Sequence, residues 1–199
     1  MKWRRVFSYL AVTVGMTGAI AACNGDDPKV SSGGTNTSSS EPATTTTGPC
    51  TLTGASTDAK TGTGPDTLSL HTDVRTGLQR CADRVVFEFQ DDAAPAYTVE
   101  YRSGPFTFGE SGLPITIQGS SFIVVTFPYA SGVDLNQPTA PQTYTGPESI
   151  VPTGLTHVRE VRRLEDFEAV LVWVIGVDTT RPFSVGALTE PPRVYIDIG

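Results

Sequence analysis

The chain has 199 residues and a formal net charge of −7, because 21 Asp and Glu outweigh 14 Lys and Arg. Apart from its first five residues, it has no cluster of basic side chains larger than the pair Arg162 and Arg163. Proteins that hold nucleic acid do so through such clusters, so the composition argues against a nucleic-acid partner. It also argues against a surface that binds anionic membranes or wall polyanions directly.

The first 22 residues have the pattern of a secretory signal peptide. A basic start, Met1–Arg5, precedes a largely apolar run, Val6–Ile20, which is shorter than the roughly 20 apolar residues that span a bilayer. The residues Ile20–Cys23 then resemble the lipobox of bacterial lipoproteins. We therefore predict cleavage after Ala22 and a lipid anchor on Cys23. The mature chain, whose charge becomes −10 with the loss of three basic residues, would face the extracytoplasmic side of a cell membrane. The alternative is plain secretion with Cys23 as a free thiol.

Residues 23–65 are rich in Ser, Thr and Gly and hold few large apolar side chains. Such a segment buries too little apolar surface to offset the entropy lost on ordering, so we predict a disordered tether before a folded domain at residues 66–199. Two cysteines, Cys50 and Cys81, remain once Cys23 carries lipid. Exported proteins meet oxidising conditions, which favours a disulfide between them over two free thiols and would stitch the end of the tether to the domain.

From Asp66 onward, short runs of Val, Ile, Phe, Tyr and Thr alternate with Gly, Pro, Asp and Ser, which is typical of an all-β domain. No stretch shows the apolar period of a helix. A folded part of about 130 residues with many short strands predicts a single β-sandwich or a closely related β-roll. The candidate strands are residues 68–74, 84–89, 97–102, 115–117, 122–127, 157–163, 167–177, 183–188 and 193–198.

Two of these strands indicate where the core lies. In residues 84–89, Val85, Phe87 and Phe89 share one side, while the other side carries charges, so one face is buried and the other is wet. In residues 167–177 both sides are apolar, which predicts a central strand covered on each face. A hairpin turn at residues 164–166 is expected to lead into it.

Few residues have catalytic potential, and none forms a catalytic pattern. Ser111 lies in a near match to the G-x-S-x-G motif, but Leu113 occupies the position of the second glycine and Pro114 predicts a loop. His71 and His157 are the only histidines, and no nucleophile is identifiable near either of them. With two histidines and no C-x-x-C spacing, the sequence predicts no metal site and no cofactor.

Aromatic residues in loops give a more useful indication, because sugars and peptides are commonly held by aromatic faces and a few polar groups. Tyr129 and Tyr144 lie in the polar, Pro-rich segment 128–152, which is longer than a simple connection requires. We predict that they contribute to ligand binding, together with Arg193. The alternatives are that both rings pack on the sandwich, and that Arg193, like Arg84, pairs with acids on a wet face.

Two motifs at the ends of the predicted domain resemble the AMIN-like domain family. An opening strand has the sequence DRVVFEF at residues 83–89, and a closing strand has PRVYIDI at residues 192–198. The resemblance covers residues 68–198 and includes Tyr97–Tyr101, Trp173–Gly176 and Arg181–Phe183. The chain departs from the family pattern at Cys81, where a turn with a histidine is more usual.

The resemblance implies a non-catalytic β-sandwich of the bacterial cell envelope, since AMIN domains direct wall amidases or pilus secretins to peptidoglycan. For this chain it implies a lipid-anchored binding or scaffolding module whose partner is peptidoglycan or an envelope protein. One alternative is a module that recruits a separate envelope enzyme through a strand edge or the segment 128–152. Another is a wall hydrolase, which would need a cleft that gathers His157 with acidic side chains.

Overall fold

The computed structural model describes residues 50–90 and 92–199. The predicted signal peptide, Cys23 and the tether as far as residue 49 lie outside these residues. Within them, no helix is long and apolar enough to cross a membrane. The only helical element of the described part is a 3₁₀ turn at Gly109–Ser111, and all other regular structure there is strand, which confirms the predicted all-β class.

Most strands lie within a few residues of their predicted positions. The exceptions are the short strands β1, β5, β8 and β9, which leave too little periodic pattern to predict. In chain order the strands are β1 Lys60–Gly62, β2 Ser69–Gln79, β3 Ala82–Phe89, β4 Tyr97–Tyr101, β5 Phe106–Phe108, β6 Leu113–Ile115, β7 Ser121–Pro128, β8 Ala130–Ser131, β9 Ser149–Ile150, β10 Val158–Phe167, β11 Val170–Val177, β12 Phe183–Thr189 and β13 Pro192–Ile198.

The strands form two packed sheets and one small hairpin. One sheet has six strands in the order β1-β4-β7-β11-β10-β9, the other has five in the order β12-β13-β3-β2-β8, and β5 pairs with β6. Paired strands run antiparallel except for β2 and β8, which are parallel. The inner faces of the two larger sheets share one apolar core, so the predicted sandwich is confirmed.

The core follows from the alternation of side chains along the strands. In β3, Val85, Phe87 and Phe89 are buried as predicted, and the residues between them face outward. Opposite them in the six-stranded sheet lie Phe127 and Trp173, whose rings are 5.3 and 5.9 Å from that of Phe87. Burial of each such side chain contributes roughly 2–3 kcal/mol, so these rings are a main source of the attraction between the sheets.

Strand β11 is covered on both faces, as predicted. Its outer face packs under the β5–β6 hairpin through Val174, which joins Val124 and Leu164 in a second apolar cluster. The chain returning from the hairpin crosses β11 at Gly176, where a Cβ atom would lie 1.9 Å from the carbonyl oxygen of Gln118. Only glycine permits this close approach.

The predicted turn at residues 164–166 is wrong, because β10 continues through these residues to Phe167. Leu164 is part of the outer apolar cluster, and Asp166 accepts hydrogen bonds from Ser131 Oγ at 2.7 Å and from the Gly132 N–H at 3.0 Å. The turn lies at Glu168 and Ala169, which both have positive φ, as a two-residue type I′ hairpin requires. The charges that resembled a turn therefore belong to a strand with a bulge.

The folded domain begins earlier than Asp66. A Cys50–Cys81 disulfide is present with a Cα–Cα distance of 5.2 Å, Ser56 forms a bridge with Phe183, and β1 pairs with β4. The sequence boundary at residue 65 was misplaced because backbone pairing by Thr and Gly needs no apolar side chain. Closing a 31-residue loop stabilises the fold by about 3–4 kcal/mol through restriction of the unfolded chain.

Candidate functional site

Asp83, the first residue of the opening motif, has a structural role. Its side chain is fully buried, and its carboxylate accepts backbone hydrogen bonds from Thr156, His157 and Val158 at 3.1, 2.5 and 2.8 Å. A carboxylate with several N–H donors is a strong acceptor, so Asp83 ties the start of β10 to the opposite sheet. The motif begins with an acid because three backbone donors must be satisfied here.

The outward side chains of the two motif strands form a charged row on the five-stranded sheet. Arg84 donates to both carboxylate oxygens of Asp197 at 2.6 and 2.7 Å, and its guanidinium lies 4.1 Å from the centre of the Tyr195 ring. The hydrogen bond to Asp197 raises the pKa of Arg84. On the next strand, Arg75 pairs with Glu88 and also with Asp73. Each of these five charged side chains thus has an oppositely charged partner within the row, which keeps a net charge of −1 because its two arginines face three acids.

Arg193 lies at the start of β13, where it faces Glu88 across the sheet. Its guanidinium donates hydrogen bonds of 3.1 Å to the carbonyl oxygens of Pro191 and Glu190 in the preceding turn. These bonds leave part of the guanidinium free, because it carries five N–H donors. The ligand role of Arg193 stays a prediction.

The structure separates the two tyrosines that the sequence had grouped. Tyr129 is half exposed and has a positive φ of 60°. Tyr144 is buried, with its ring stacked on His71 at 4.7 Å and its hydroxyl donating to the carbonyl oxygen of Pro147 at 2.7 Å. The prediction of an exposed binding ring is therefore wrong for Tyr144, and the alternative that its ring packs on the sandwich is confirmed.

Beneath Tyr144 lies a group of buried polar atoms with no hydrogen-bond partner in the described part. They are both ring nitrogens of His71, the indole Nε1 of Trp173 and the hydroxyl of Ser69. Burial and, to a smaller extent, the positive charge of Arg163 lower the pKa of His71 to about 3, with the Asp73 backbone acting in the opposite direction. Since neither nitrogen has a partner with hydrogen-bond geometry, His71 is a neutral core residue.

His157 lies on the opposite end of the sandwich from His71. Its Nδ1 is 3.4 Å from the Asp178 carboxylate, a pairing that the hydrolase alternative requires. That carboxylate is already bound by Arg181 at 2.8 and 3.0 Å, and this contact holds the pKa of Asp178 well below its usual range. A carboxylate neutralised by arginine is a weak orienting group for a catalytic histidine. In the described residues, no hydroxyl or thiol is hydrogen-bonded to His157.

Ser111 lies in the 3₁₀ turn and not in a strand-to-helix elbow. Its hydroxyl donates to the carbonyl oxygen of Phe108 at 2.5 Å, and Gly112 follows with a positive φ of 65°. These are properties of a turn residue. The part of the chain that the structure describes holds no group of three or more His, Cys, Asp or Glu side chains with metal-binding geometry.

A cleft of about 380 Å³ opens at the end of the sandwich where the chain enters from Cys50. We call it the hydroxyl cleft, because hydroxyl side chains dominate its lining. The lining comes from four separate segments, so the sequence alone gave no sign of it. Its residues are Thr57, Tyr101, Arg102, Ser103, Gly104, Ser120, Ser121, Phe122 and Thr180.

Three of the hydroxyl groups of this cleft are fixed by the protein. Ser121 and Thr180 share a 2.8 Å hydrogen bond, while Tyr101 donates to the carbonyl oxygen of Arg181 at 2.8 Å. The hydroxyls of Ser103 and Ser120 have no side-chain hydrogen bond among the described residues. The cleft therefore presents both positioned and free hydroxyl groups.

A second cleft, of about 320 Å³, lies near the opposite end of β10 and β11. It is formed between the β5–β6 hairpin and β10, and its apolar walls include Phe108, Leu164 and Phe167. Glu165 is the acidic residue on its lining without a partner in the described chain. The two clefts thus differ in chemistry and lie at opposite ends of the sandwich.

Comparison with known proteins agrees with the resemblance noted in the sequence. A family model described as the AMIN-like domain matches residues 69–199, which is more than half of the chain. The match includes both motif strands and both sheets, apart from β1. No curated protein and no solved structure matches the chain.

Proposed function

Since the chain belongs to the AMIN-like domain family, we propose that it is a non-catalytic binding module of the bacterial cell envelope, directed at peptidoglycan. A lipid anchor on Cys23 would hold it on the extracytoplasmic side of a membrane, and residues 24–49 would serve as its tether. Family membership supports the envelope role, and the hydroxyl cleft is the observation that supports a glycan as the ligand.

The chemistry of the hydroxyl cleft fits a sugar. Sugars are bound by hydrogen bonds from polar side chains and by contact with aromatic faces, and both are present in Ser103, Ser120 and Phe122. Its volume lies within the range of about 300–1,000 Å³ typical of small-ligand sites. The one charged lining residue, Arg102, donates to Glu100 at 2.8 Å, so the cleft favours a neutral ligand.

The proposal is tested by sedimentation of residues 50–199, which include both sheets and the disulfide, with insoluble purified peptidoglycan. We expect the domain to be retained in the pellet at moderate salt, and an inert protein of similar charge to stay in the supernatant. Ser103→Trp should abolish retention, because the indole would fill the cleft from an exposed position. Thr153→Trp, at an exposed site outside the cleft lining, is the matched control.

The possible results separate the ligand from the site. A wild-type domain that stays in the supernatant contradicts peptidoglycan as the ligand. Retention that survives Ser103→Trp contradicts the hydroxyl cleft as its site and returns attention to Tyr129 and Arg193. Loss of retention in Thr153→Trp as well would show that the substitutions act through folding.

A further inference from the structure

We infer that an apolar tip, distant from the hydroxyl cleft, is a docking site for a protein partner in the form of an extended apolar segment flanked by Lys or Arg. The apolar tip consists of Phe108, Tyr129, Phe167 and Val170, with Glu165 and Glu168 at its rim. This inference goes beyond the proposed glycan binding. It assigns a second surface and a partner of different chemistry.

Each of the four apolar side chains is more than a third exposed. Relative exposure is 37% for Phe108, 50% for Tyr129, 48% for Phe167 and 36% for Val170. Single exposed apolar residues are ordinary, but a contiguous group of them on a soluble domain indicates an interaction site.

Strand pairing brings Phe167, Val170 and Tyr129 to the same end of the six-stranded sheet. Phe167 pairs with Val170 across the hairpin, and Val170 pairs in turn with Pro128, which directly precedes Tyr129. Phe108 approaches from the β5–β6 hairpin and lines the second cleft together with Phe167. The tip therefore offers a cleft of about 320 Å³ bordered by aromatic rings, into which an apolar side chain fits.

The backbone of the tip is held in fixed, sparsely populated conformations. Tyr129, Glu168 and Ala169 all have positive φ, between 48° and 60°. The N–H of Ala130 donates to the carbonyl oxygen of Ala169 at 2.9 Å, which ties the two turns together. Such conformations in non-glycine residues concentrate at functional sites, and a fixed surface loses less entropy on binding.

Charge indicates what kind of segment the tip accepts. Glu165 and Glu168 have no hydrogen-bond or ion-pair partner among the described residues, whereas their neighbour Asp166 is bound to Ser131, Gly132 and Arg163. Glu165 lies on the cleft lining and Glu168 in the neighbouring turn, while the one cation on the lining, Arg163, is already paired with acids. An apolar cleft beside two unpaired acids is complementary to an apolar segment flanked by cations. A symmetric contact with a second copy would bring the acids of both tips together, and an anionic membrane would be repelled by them.

The inference is tested with the full chain in detergent and three fluorescent peptides that share one leucine- and tryptophan-containing core. The flanks are lysines, serines or glutamates, and binding is measured by fluorescence anisotropy. We expect the lysine-flanked peptide to bind about tenfold more tightly than the glutamate-flanked one, because two ion pairs replace two like-charge contacts. Salt should reduce this preference.

Two variants of the tip and one control locate the binding. Phe167→Ser should abolish binding of the lysine-flanked peptide, and the double charge reversal of Glu165→Lys with Glu168→Lys should invert the preference between peptides. Leu188→Ser removes an equally exposed apolar residue from the edge of the other sheet and should change nothing. Melting temperatures of all variants confirm that they fold, since each altered side chain is at least partly exposed.

Several outcomes would overturn the inference. They are equal affinity for all three peptides, unchanged binding in Phe167→Ser, and tight binding of the full chain to anionic phospholipid vesicles that Phe167→Ser removes. Retention on peptidoglycan should be unaffected by Phe167→Ser, because the hydroxyl cleft lies at the other end. The two experiments can therefore disprove peptide docking at the apolar tip and glycan binding in the hydroxyl cleft independently of each other.

Discussion

The charged row of the five-stranded sheet and the apolar tip of the six-stranded sheet are both solvent-facing, and both combine acids with aromatic rings. In the charged row, Arg84 is bound by Asp197 and stacks on Tyr195. At the tip, Glu165 and Phe167 have no such partners among the described residues. The contrast shows that the residues of a recognisable sequence motif can serve mainly to stabilise the fold. The side chains available to bind a partner are those that the fold leaves unpaired.

The buried polar groups at the two ends of the sandwich differ in the same way. At the end that carries Asp83, three backbone donors converge on one buried carboxylate. At the end that carries the tip, buried nitrogens of His71 and Trp173 have no partner in the described part. The buried carboxylate at one end of the sandwich is therefore satisfied, whereas the other end keeps unpaired polar groups in an unfavourable environment.

The dependence of stability on pH provides the sharpest test of the unpaired nitrogens of His71. The pKa of His71 is about 3 in the folded protein and 6.5 in the unfolded chain, so the unfolded state binds more protons between these values. The free energy of unfolding is then largest above pH 6.5 and falls as the pH decreases toward 3, by on the order of 4 kcal/mol. Denaturant unfolding at pH 7.0, 6.0 and 5.0 should show roughly 2 kcal/mol of this loss.

Two variants decide whether His71 causes this loss. His71→Leu, of similar size, should remove the slope between pH 5 and 6.5, where ordinary carboxylates do not titrate, and should leave two fewer unpaired nitrogens in the core. His157→Gln keeps His71 and should keep the slope. A slope that persists in His71→Leu would place the acid sensitivity elsewhere and weaken the contrast between the two ends.

At the other end, the loss of the Asp83 carboxylate as a hydrogen-bond acceptor should lower the free energy of unfolding. Asp83→Asn replaces one carboxylate oxygen by an amide that cannot accept a hydrogen bond, so at least one of the three N–H groups is left unpaired in the core. We expect a loss of about 3 kcal/mol, or roughly 10 °C in melting temperature. Asp73→Asn, whose carboxylate in the charged row is 43% exposed, is the control and should cost under about 1 kcal/mol. Equal losses would show that the burial of Asp83 confers no special role.

The alternation of apolar and polar side chains, together with the number of cysteines, made much of the fold predictable from the sequence. The inward set Val85, Phe87 and Phe89 and the two covered faces of β11 follow from side-chain periodicity. The Cys50–Cys81 disulfide follows from the presence of two cysteines in a chain whose sequence predicts export. These features depend on neighbouring residues or on residue type alone. For this reason one sequence was enough to reach them.

Features that depend on distant residues could not be predicted in this way. Asp166 resembled a turn residue because its partners, Ser131 and Gly132, lie more than 30 positions away. Tyr144 resembled an exposed loop aromatic because the core rings that cover it come from other strands. The hydroxyl cleft and the apolar tip are both assembled from separate segments, so no local pattern identified them.

The turn at the apolar tip offers the smallest and most specific test. Ala169 holds a φ of 60°, which costs an L-residue about 1 kcal/mol, and part of this cost disappears when the side chain is removed. Ala169→Gly should therefore raise the free energy of unfolding by about 0.5–1 kcal/mol, or roughly 2–3 °C in melting temperature. Ala187→Gly, in the extended strand β12, is the matched control and should lower it by a similar amount. If both substitutions destabilise the protein equally, the strained turn does not exist in solution and the tip loses the fixed backbone on which its low-entropy docking depends.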